Sequence, residues 1–397
     1  MKILFVHEVG YLEKPIFEMS ELPELLNLQG HEVYFLDFVE SPGFRNPRVQ
    51  FIAGRRFPSA KVGLIHSNPV GGGTFSRIIT SLYAVPFLWL LFWRLRPDVI
   101  VSYAVPTLGW QSALVGRIIG IPVIYRAIDV SHMLRKGWFA PLVRFSERLL
   151  VLLATAVSTH NAALRTYLRE IDPRRQKLIS IHLPPQIVDS NPTEDRRTVR
   201  HNLGKNESDV LVVFLGTLFD FTGLEELIKR HISATRHSWT LLVIGDGPAG
   251  KNLRKMSEKV SDLNLIIHLG FVSYDLIWNY LHAADIAINP FRHSLITNSA
   301  LPNKTFQYLA AGLPTISMNL SGSRTTIGED NGVVWVEDGE ELFAEINKLS
   351  RETERRQLLA RQAKKFFREH FDQRQENNLQ ALQFSEFLKM HSEKGYV

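Results

Sequence analysis

The sequence of 397 residues contains no cysteine. This absence excludes a disulfide framework, a thiolate zinc site and a cysteine nucleophile. The content of 45% hydrophobic and 22% charged residues excludes a disordered or collagen-like chain. At about 100–200 residues per domain, the length predicts two domains, each with its own core.

Long apolar runs are also lacking. The amino terminus turns polar after four apolar residues, too few for the apolar region of a signal peptide, so we expect a cytoplasmic protein. Residues 78–93 and 149–164 are two uncharged stretches of 16 residues each. Both are shorter than the roughly 20 residues that span a bilayer. We expect them to form core helices, or helices that lie partly in a membrane interface.

Acidic residues are scarce between residues 41 and 180, which hold 5 Asp and Glu against 19 Lys and Arg, although the whole chain has a net charge of +6. Such an excess suggests an anionic partner, namely nucleic acid, a membrane surface or a phosphorylated substrate. The alternative is a merely solvated basic face. No basic repeat, finger or aromatic RNA-binding motif accompanies the charge, so we expect no nucleic acid partner.

Aromatic side chains lie among these cations. They are Trp89, Trp93, Trp138 and Phe139, and Arg135 and Lys136 are close to the last two. This combination predicts a surface that rests on anionic lipid headgroups, attached peripherally to the cytosolic face of a membrane. A buried helix whose arginines reach solvent is the structural alternative.

Short runs rich in Val, Ile and Phe alternate with helical stretches along the whole chain. Strands are predicted at residues 1–6, 32–38, 99–103, 123–127, 156–159 and 177–182, and then at 210–216, 240–245, 265–269, 286–289, 315–318 and 333–336. A stretch rich in proline and charge at residues 183–200 predicts a linker. The pattern indicates an α/β protein with two doubly wound parallel-sheet domains, residues 1–187 and 188–372.

A glycine motif, Gly245 to Gly250, follows a predicted strand with the spacing of a dinucleotide fingerprint. Pro248 removes one backbone donor from the loop. The next predicted strand ends at Gly270, where the fingerprint requires an acidic residue. These two departures disfavour NAD binding.

A short helix is predicted between Pro302 and Gly312. Lys304 in its first turn opposes the helix dipole unless an anion binds there, which is the pattern expected of a diphosphate site. Gln307 lies one turn further along the same face. We expect Lys304 to be exposed, and a plain helix with an exposed lysine is the alternative.

Several segments together resemble a known family. They are Ile244-Gly245-Asp246-Gly247-Pro248, Leu269-Gly270-Phe271-Val272, Ala283-Ala284-Asp285-Ile286, Asn289-Pro290 and the helix that ends Gly312-Leu313-Pro314. In this order they resemble the nucleotide-sugar half of the retaining glycosyltransferases of family 4, which have the GT-B fold. The first strand with Gly10, the segment Arg96-Pro97-Asp98-Val99-Ile100 and the strand at residues 122–125 fit the same family.

The resemblance implies an acceptor-binding first domain, a donor-binding second domain and a cleft between them. It also implies a carboxyl-terminal helix, at about residues 373–397, that packs back on the first domain. The co-substrate is a nucleotide-diphosphate sugar, with no metal and no other cofactor. The donor-binding positions are Gly10, Gly216, Thr217, Thr222, Gly245, Ser299, Asn303, Lys304, Thr305 and Gln307.

Four of these positions depart from the family pattern. Thr217 and Thr222 replace two cations that usually hold the diphosphate, and Ser299 and Gln307 replace a pair of glutamates. Ile128 and Asp129 stand where a histidine is usual, and the nearest histidine is His132.

Asp129, His132 and Lys304 are the candidate catalytic residues. Arg126 and Asp129 are the candidate acceptor-binding residues. The sequence therefore predicts a metal-independent retaining glycosyltransferase that builds a surface polysaccharide on a glycan or lipid-linked acceptor. One alternative is a catalytically inactive GT-B protein that serves as a binding or assembly subunit. A nucleotide-sugar epimerase on the same fold is another.

Overall fold

The computed structural model describes residues 1–13, 18–41, 48–68, 73–134, 139–172, 179–185, 192–260, 263–371 and 378–394. The chain divides into two compact domains. The first comprises Met1–Ile187 and Gln373–Val397, and the second comprises Val188–Asp372.

The first domain is built on one eight-stranded sheet. Its strands are β1 (Lys2–Val6), β2 (Glu32–Asp37), β3 (Gln50–Ala53), β4 (Lys61–His66), β5 (Val99–Ser102), β6 (Val123–Ala127), β7 (Ala156–Thr159) and β8 (Ile179–Ile181). The strand order is β3-β4-β2-β1-β5-β6-β7-β8. Neighbouring strands are parallel, except that the edge strand β3 is antiparallel to β4.

Helices cover both faces of this sheet. They are α1 (Glu18–Leu28), α2 (Thr74–Leu95), α3 (Gly109–Ile119), α4 (Phe139–Leu153), α5 (Ala162–Ile171) and α15 (Leu379–Lys394), with a short 3-10 helix at Ser131–Leu134. The helices α2 to α5 contribute to the core on one face, and α1 and α15 contribute to the core on the other. The last helix therefore belongs to the first domain, although 185 residues of the second domain separate it in sequence.

The second domain is built on a six-stranded parallel sheet. Its strands are β9 (Leu211–Leu215), β10 (Thr240–Ile244), β11 (Ile266–Gly270), β12 (Ile286–Asn289), β13 (Thr315–Met318) and β14 (Val333–Val336), in the order β11-β10-β9-β12-β13-β14. The central strand β9 is buried along its whole length. Because helices cover both faces of a parallel sheet, such a strand is a continuous apolar run, here Leu-Val-Val-Phe-Leu.

Nine helices of the described residues surround this sheet. They are α6 (Arg196–Asn202), α7 (Leu224–Ser233), α8 (Gly250–Glu258), α9 (Tyr274–Ala283), α10 (Leu295–Ser299), α11 (Asn303–Ala311), α12 (Ser321–Ile327), α13 (Gly339–Leu349) and α14 (Thr353–His370). A 3-10 helix at Asp220–Thr222 precedes α7. The predicted α/β class with two parallel-sheet domains is confirmed.

One local prediction was wrong. The sequence pattern missed β3 and β4, which lie in a segment rich in glycine and proline where β3 is short and mostly exposed. The boundary between the two domains, at Ile187 and Val188, falls within the predicted linker at residues 183–200. The end of this segment is the start of α6, where the side chain of Asp195 accepts hydrogen bonds from the backbone amides of Arg197 and Thr198.

The two uncharged stretches have different structures. Residues 149–164 do not form one helix, because they include the end of α4, all of β7 and the start of α5. Residues 78–93 lie within α2, which has 22 residues. Within the described ranges, α2 is the one helix that is long and apolar enough to cross a membrane by length and composition. The predicted cationic segment from Arg135 to Trp138 lies outside the described residues.

Candidate functional site

The carboxyl ends of β9, β10 and β12 meet at one edge of the second sheet because these strands are parallel. Gly216 follows β9 and Gly245 follows β10, with φ angles of 133° and 134° that side chains rarely allow. A Cβ atom on Gly245 would lie 2.1 Å from the carbonyl oxygen of Gly216. The two glycines therefore let the chain leave both strands with their backbones in close contact.

Lys304 lies at this edge, in the first turn of α11. Its Nζ atom lies 3.0 Å from the place that a Cβ atom on Gly216 would occupy. The helix ends at Gly312, which has a left-handed conformation. The helix predicted between Pro302 and Gly312 is thus confirmed, and three of the predicted donor-binding residues, Gly216, Gly245 and Lys304, lie together.

The predicted exposure of Lys304 was wrong. Only 9% of the residue is exposed. Its Nζ atom lies 3.9 Å from the ring centroid of Phe214, in β9, and 4.3 Å from that of Phe291, just after β12. No hydrogen-bond acceptor or carboxylate among the described residues contacts this amine. The aromatic rings enclose the side chain and leave its donors unused.

The surroundings of Lys304 disfavour its charged form. Burial lowers the pKa of the Lys304 amine well below its usual range. Two aromatic faces offset part of this cost, by about 2 kcal/mol for a desolvated cation–π contact. An anion at this place would supply the missing partner and would favour the ammonium form. The site is therefore built to respond to negative charge.

Other predicted donor-binding residues surround Lys304 in the sequence. Thr305 is buried, and its hydroxyl has no hydrogen-bond partner within the described ranges. Asn303 and Gln307 are half-buried, and Ser299 is buried at the end of α10. The amide of Thr305 donates to the carbonyl oxygen of Pro302 at 3.0 Å. The amides of Asn303 and Lys304, at the start of α11, lack acceptors inside the helix and remain as backbone donors.

The two predicted threonines differ. Thr217 is exposed in the loop after β9, and its predicted contact with the donor remains a prediction. Thr222 is buried, and its hydroxyl donates a hydrogen bond to the carbonyl oxygen of Phe219 at 2.8 Å. This hydroxyl stabilises its own turn. Thr222 therefore supports the turn, and its predicted contact with the donor remains a prediction.

The glycine motif that begins at Gly245 uses its amides internally. The amide of Gly245 donates to the carbonyl of Gly270, and that of Gly250 donates to the carbonyl of Gly247. The Asp246 carboxylate accepts a hydrogen bond from the amide of Gly247 at 2.8 Å. Because these donors are already satisfied, the loop cannot hold a pyrophosphate as a dinucleotide fingerprint does.

Arg126, in β6, is fully buried, in contrast to a residue that would bind an acceptor phosphate. Its Nε atom donates to Glu18 Oε1 at 2.7 Å, and its Nη1 atom donates to Ser158 Oγ at 2.7 Å. Glu18 also contacts His160, whose Nε2 atom lies 2.5 Å from Glu18 Oε2. Burial alone would raise the pKa of Glu18, but Arg126 and His160 lower it below its usual range. Arg126 therefore forms one half of a buried ion pair, and its predicted contact with an acceptor remains a prediction.

Asp129 follows β6 and lies near this pair without a hydrogen bond to any described residue. Burial, with a smaller contribution from the charge of Glu18, raises the pKa of Asp129 to about 6. An aspartate with this pKa is ionised at neutral pH but can exchange a proton close to it. The structure is compatible with its predicted role toward an acceptor hydroxyl.

His132 lies in the 3-10 helix that follows. Its Nδ1 atom lies 3.0 Å from the hydroxyl of Tyr167, and this hydroxyl in turn donates to Glu147 at 2.6 Å. Burial, with the charge of Arg144, lowers the pKa of His132. These contacts fix the ring of His132, and its catalytic role remains a prediction.

Gly10 follows β1 and is buried. Its carbonyl oxygen accepts a hydrogen bond from the amide of Glu13 at 3.1 Å. A Cβ atom on Gly10 would lie 2.6 Å from Glu13 Oε2. A side chain at position 10 would thus displace the exposed side chain of Glu13, and the contact of Gly10 with a donor remains a prediction.

The sequence analysis missed four residues of these two sites, namely Phe214, Phe291, Glu18 and His160. The two phenylalanines have no sequence signal, because a phenylalanine in or beside a strand is normally a core residue. Glu18 has one. It is the first of three glutamates spaced by three residues in α1, Glu18, Glu21 and Glu24, and all three are buried.

Solved structures with the same fold are glycosyltransferases. HepE of Anabaena in complex with UDP-glucose superposes with a TM-score of 0.72 over 98% of this chain and 100% of that chain, at 16% identity. WaaG, a glycosyltransferase involved in lipopolysaccharide biosynthesis, has a TM-score of 0.68 with the same coverage and 16% identity. The two parallel-sheet domains define a GT-B glycosyltransferase fold.

Sequence comparison identifies the family. The family model for glycosyl transferases group 1 matches residues 195–366, and the model for the glycosyl transferase 4-like domain matches residues 19–184. The 2-deoxystreptamine N-acetyl-D-glucosaminyltransferase of Streptomyces fradiae is 23% identical over 309 residues, which are 73% of this chain and 68% of that protein. This chain belongs to the group 1 glycosyltransferases with a type 4 amino-terminal domain, and it is a glycosyltransferase.

Proposed function

We propose that this enzyme transfers a sugar from a nucleotide-diphosphate donor to a glycan or lipid-linked acceptor, with retention of the anomeric configuration and without a metal. The observation that carries the proposal is the buried amine of Lys304, which has only aromatic neighbours at the start of α11. A diphosphate is an anion of the right kind for this place. The product contributes to a surface polysaccharide, and the fold shared with WaaG supports this pathway.

The donor diphosphate binds at the amino terminus of α11, beside the turn at Gly216. Burial lowers the pKa of the free Lys304 amine, and the arriving anion favours its ammonium form, which pairs with a diphosphate oxygen. When the bond between the sugar and the diphosphate breaks, negative charge grows on the leaving oxygen. Lys304, which is 9% exposed, and the first amides of α11 stabilise that charge.

The remaining residues position the two substrates. Gln307 hydrogen-bonds the ribose of the donor from the next turn of α11, and Thr305 offers its unpartnered hydroxyl to the diphosphate. Asp129 accepts a hydrogen bond from the attacking hydroxyl of the acceptor and orients it. The new bond forms between this oxygen and the sugar carbon that loses the diphosphate. The acceptor proton passes to Asp129 or to the leaving phosphate oxygen.

Calorimetric titration with UDP, GDP and ADP tests the donor site. Lys304→Met keeps the volume of the side chain and removes the amine. We expect it to weaken binding of the preferred nucleotide at least tenfold, which is about 1.4 kcal/mol. The matched control is Lys255→Met, which removes an exposed lysine of the same domain and leaves the affinity unchanged. Equal affinity in a folded Lys304→Met protein would refute the proposed site.

A second candidate is a nucleotide-sugar-binding subunit without catalysis. Thr222 supports this candidate, because it carries no positive charge and its hydroxyl donates to the carbonyl oxygen of Phe219 in its own turn. Donor consumption in the presence of EDTA, followed by NMR of the product anomer, separates the candidates. Metal-free turnover with retained configuration supports the transferase. Donor binding without turnover supports the binding subunit.

A further inference from the structure

The outward side of α2 is apolar along its whole length. Five of its large exposed side chains follow the helical repeat, Phe75, Ile78, Leu82, Trp89 and Trp93. Leu82 is 79% exposed and Trp93 is 62% exposed. Only 22% of the most apolar 18-residue window of this helix is buried, although a core helix would be mostly buried. An apolar stripe of this length on a surface marks an interaction site.

The neighbouring helices extend this stripe and add positive charge. α3 packs against both α2 and α4, and Phe145 on α4 is 64% exposed. Four exposed arginines lie on the three helices, namely Arg94, Arg117, Arg144 and Arg148. We name the outward side of these three helices the α2–α4 face.

Exposed negative charge is missing from this face. All residues of the three helices are described, and Glu147 is their one acidic residue. Its side chain is fully buried and accepts hydrogen bonds from Tyr125 at 2.8 Å and from Tyr167 at 2.6 Å. The exposed charged residues of the three helices are therefore all arginines.

Contacts on its inner side hold α2 on the domain. Ala84, Leu88 and Phe92 are fully buried against the sheet. Arg77 donates to the carbonyl oxygen of Glu8 at 3.0 Å and forms an ion pair with Glu40. A helix that crossed a bilayer would lose these contacts with the sheet, with Glu8 and with Glu40. The structure therefore favours a helix that lies in an interface.

We propose that the α2–α4 face rests on an anionic lipid bilayer. The apolar side chains of α2 insert below the headgroups, and the four arginines pair with lipid phosphates. A second copy of this chain is a poorer occupant, because a two-fold dimer through this face would place four arginines of each copy in one interface, and the exposed carboxylate that lies beside Arg144 and Arg148 is that of Glu170 on α5. The proposal depends on the surface of the first domain and is independent of the proposed donor chemistry.

Sedimentation of the full chain with vesicles tests the proposal. Vesicles with about one anionic lipid in three, phosphatidylglycerol, should sediment with the protein at low salt. They should release it near 1 M NaCl, where the Debye length is about 3 Å. Vesicles of phosphatidylcholine alone should retain at least tenfold less protein. The double substitution of Arg144 and Arg148 by glutamate should abolish this preference.

The apolar part of the face has its own variants. Leu82→Glu with Leu90→Glu changes two exposed side chains and should lower partition into anionic vesicles at least tenfold while circular dichroism stays unchanged. Phe271→Glu, at a residue of the second domain that is 77% exposed, is the matched control and should bind as the parent does. Brominated lipids should quench the parent's tryptophan fluorescence, and Trp89→Phe with Trp93→Phe should remove most of this quenching but keep the binding.

Three results would overturn the proposal. The first is equal sedimentation with neutral and anionic vesicles, or none with either. The second is self-association in solution that Leu82→Glu abolishes, which would assign the face to a second copy. The third is retention on vesicles after washing with alkaline carbonate, which would indicate a spanning helix. Nucleotide titration of the same variants is unaffected in each case, so the donor site is judged separately.

Discussion

Arg126 in the first domain and Lys304 in the second are both buried cations near the carboxyl ends of parallel strands. Their surroundings are opposite. Arg126 is bonded to a carboxylate, a hydroxyl and a carbonyl oxygen, those of Glu18, Ser158 and Thr159. Lys304 has two phenyl rings and no hydrogen-bond acceptor among the described residues.

This difference separates a cation that supports the fold from one that awaits a ligand. A buried charge is costly unless its own chain pairs it. The chain meets this requirement at Arg126 and leaves it unmet at Lys304. An unpaired buried lysine lowers the stability of the free protein, and we infer that a bound anion offsets this cost at Lys304.

The largest effect is expected from breaking the paired cation. Arg126→Met leaves the Glu18 carboxylate buried beside His160 without its main counter-charge. The free energy of unfolding, measured by urea denaturation at pH 7, should fall by about 3–5 kcal/mol. Arg169→Met removes an exposed arginine of the same domain and should change it by less than about 0.5 kcal/mol.

A double variant sharpens this result. Arg126→Met combined with Glu18→Gln removes both charges, so no buried carboxylate is left unpaired. Much of the lost stability should return. If the single variant is as stable as the parent, Arg126 does not support the fold and its contrast with Lys304 disappears.

Asp129 of the first domain has no hydrogen bond to a described residue, and its neutralisation should have the next largest effect. Because the pKa of Asp129 is raised to about 6, its active carboxylate form is lost as the pH falls through 6. The parent's kcat/KM should therefore rise with pH through this value and then level off. Asp129→Asn should remove this rise with pH and lower kcat/KM about 100-fold, which is an increase of about 2.7 kcal/mol in the activation free energy.

The control for Asp129 is Glu170→Gln, which neutralises an exposed carboxylate on α5 and should leave the profile unchanged. An acid limb that persists in a folded Asp129→Asn protein would assign it to another group. In that case Asp129 would not be a functional group of the first domain comparable with Lys304 in the second.

The sequence predicted the positions of the strands better than the surroundings of the site residues. The strands β9 to β14 lie within a residue or two of their predicted bounds, because a buried parallel strand is a short continuous apolar run. The start of α11 was predicted from Pro302 and Gly312 alone. In contrast, β3 was missed because an exposed edge strand of four residues has no such pattern.

Burial and pairing depend on residues that are far apart in the sequence. Glu18 and Arg126 are separated by 108 positions. Phe214 reaches Lys304 from a strand 90 positions earlier in the chain. The pattern around Lys304 indicates a surface helix, and only the tertiary structure shows that two strand ends cover its amine. The chemistry of a site residue could thus be predicted from local sequence, but its environment could not.

Lys304 should respond to removal in the opposite direction from Arg126. Lys304→Met replaces a buried amine that has no hydrogen-bond partner, so the free energy of unfolding at pH 7 should rise by about 1–3 kcal/mol. Because burial lowers the pKa of Lys304 in the folded protein, the gain in stability depends on pH. The unfolded chain binds more protons than the folded one up to about pH 10.4, so the parent gains stability as pH rises and the advantage of the variant shrinks. Equal stability of both proteins from pH 6 to 10 would contradict the unpaired amine.

The smallest expected effect is the uptake of a proton by Lys304 when a nucleotide binds, which Arg126 should not show. Burial lowers the pKa of Lys304 in the free protein, and a bound diphosphate should raise it. Between these two pKa values, binding takes up as much as one proton, and affinity falls up to tenfold per pH unit as pH rises.

Calorimetry of nucleotide binding in two buffers of different ionisation enthalpy measures this uptake directly. Lys304→Met should abolish it at nucleotide concentrations that still saturate the site, whereas Lys255→Met should keep it. Binding without proton exchange in the parent at every pH would mean that Lys304 is already charged when free, and the two buried cations would then differ in their partners but not in their state.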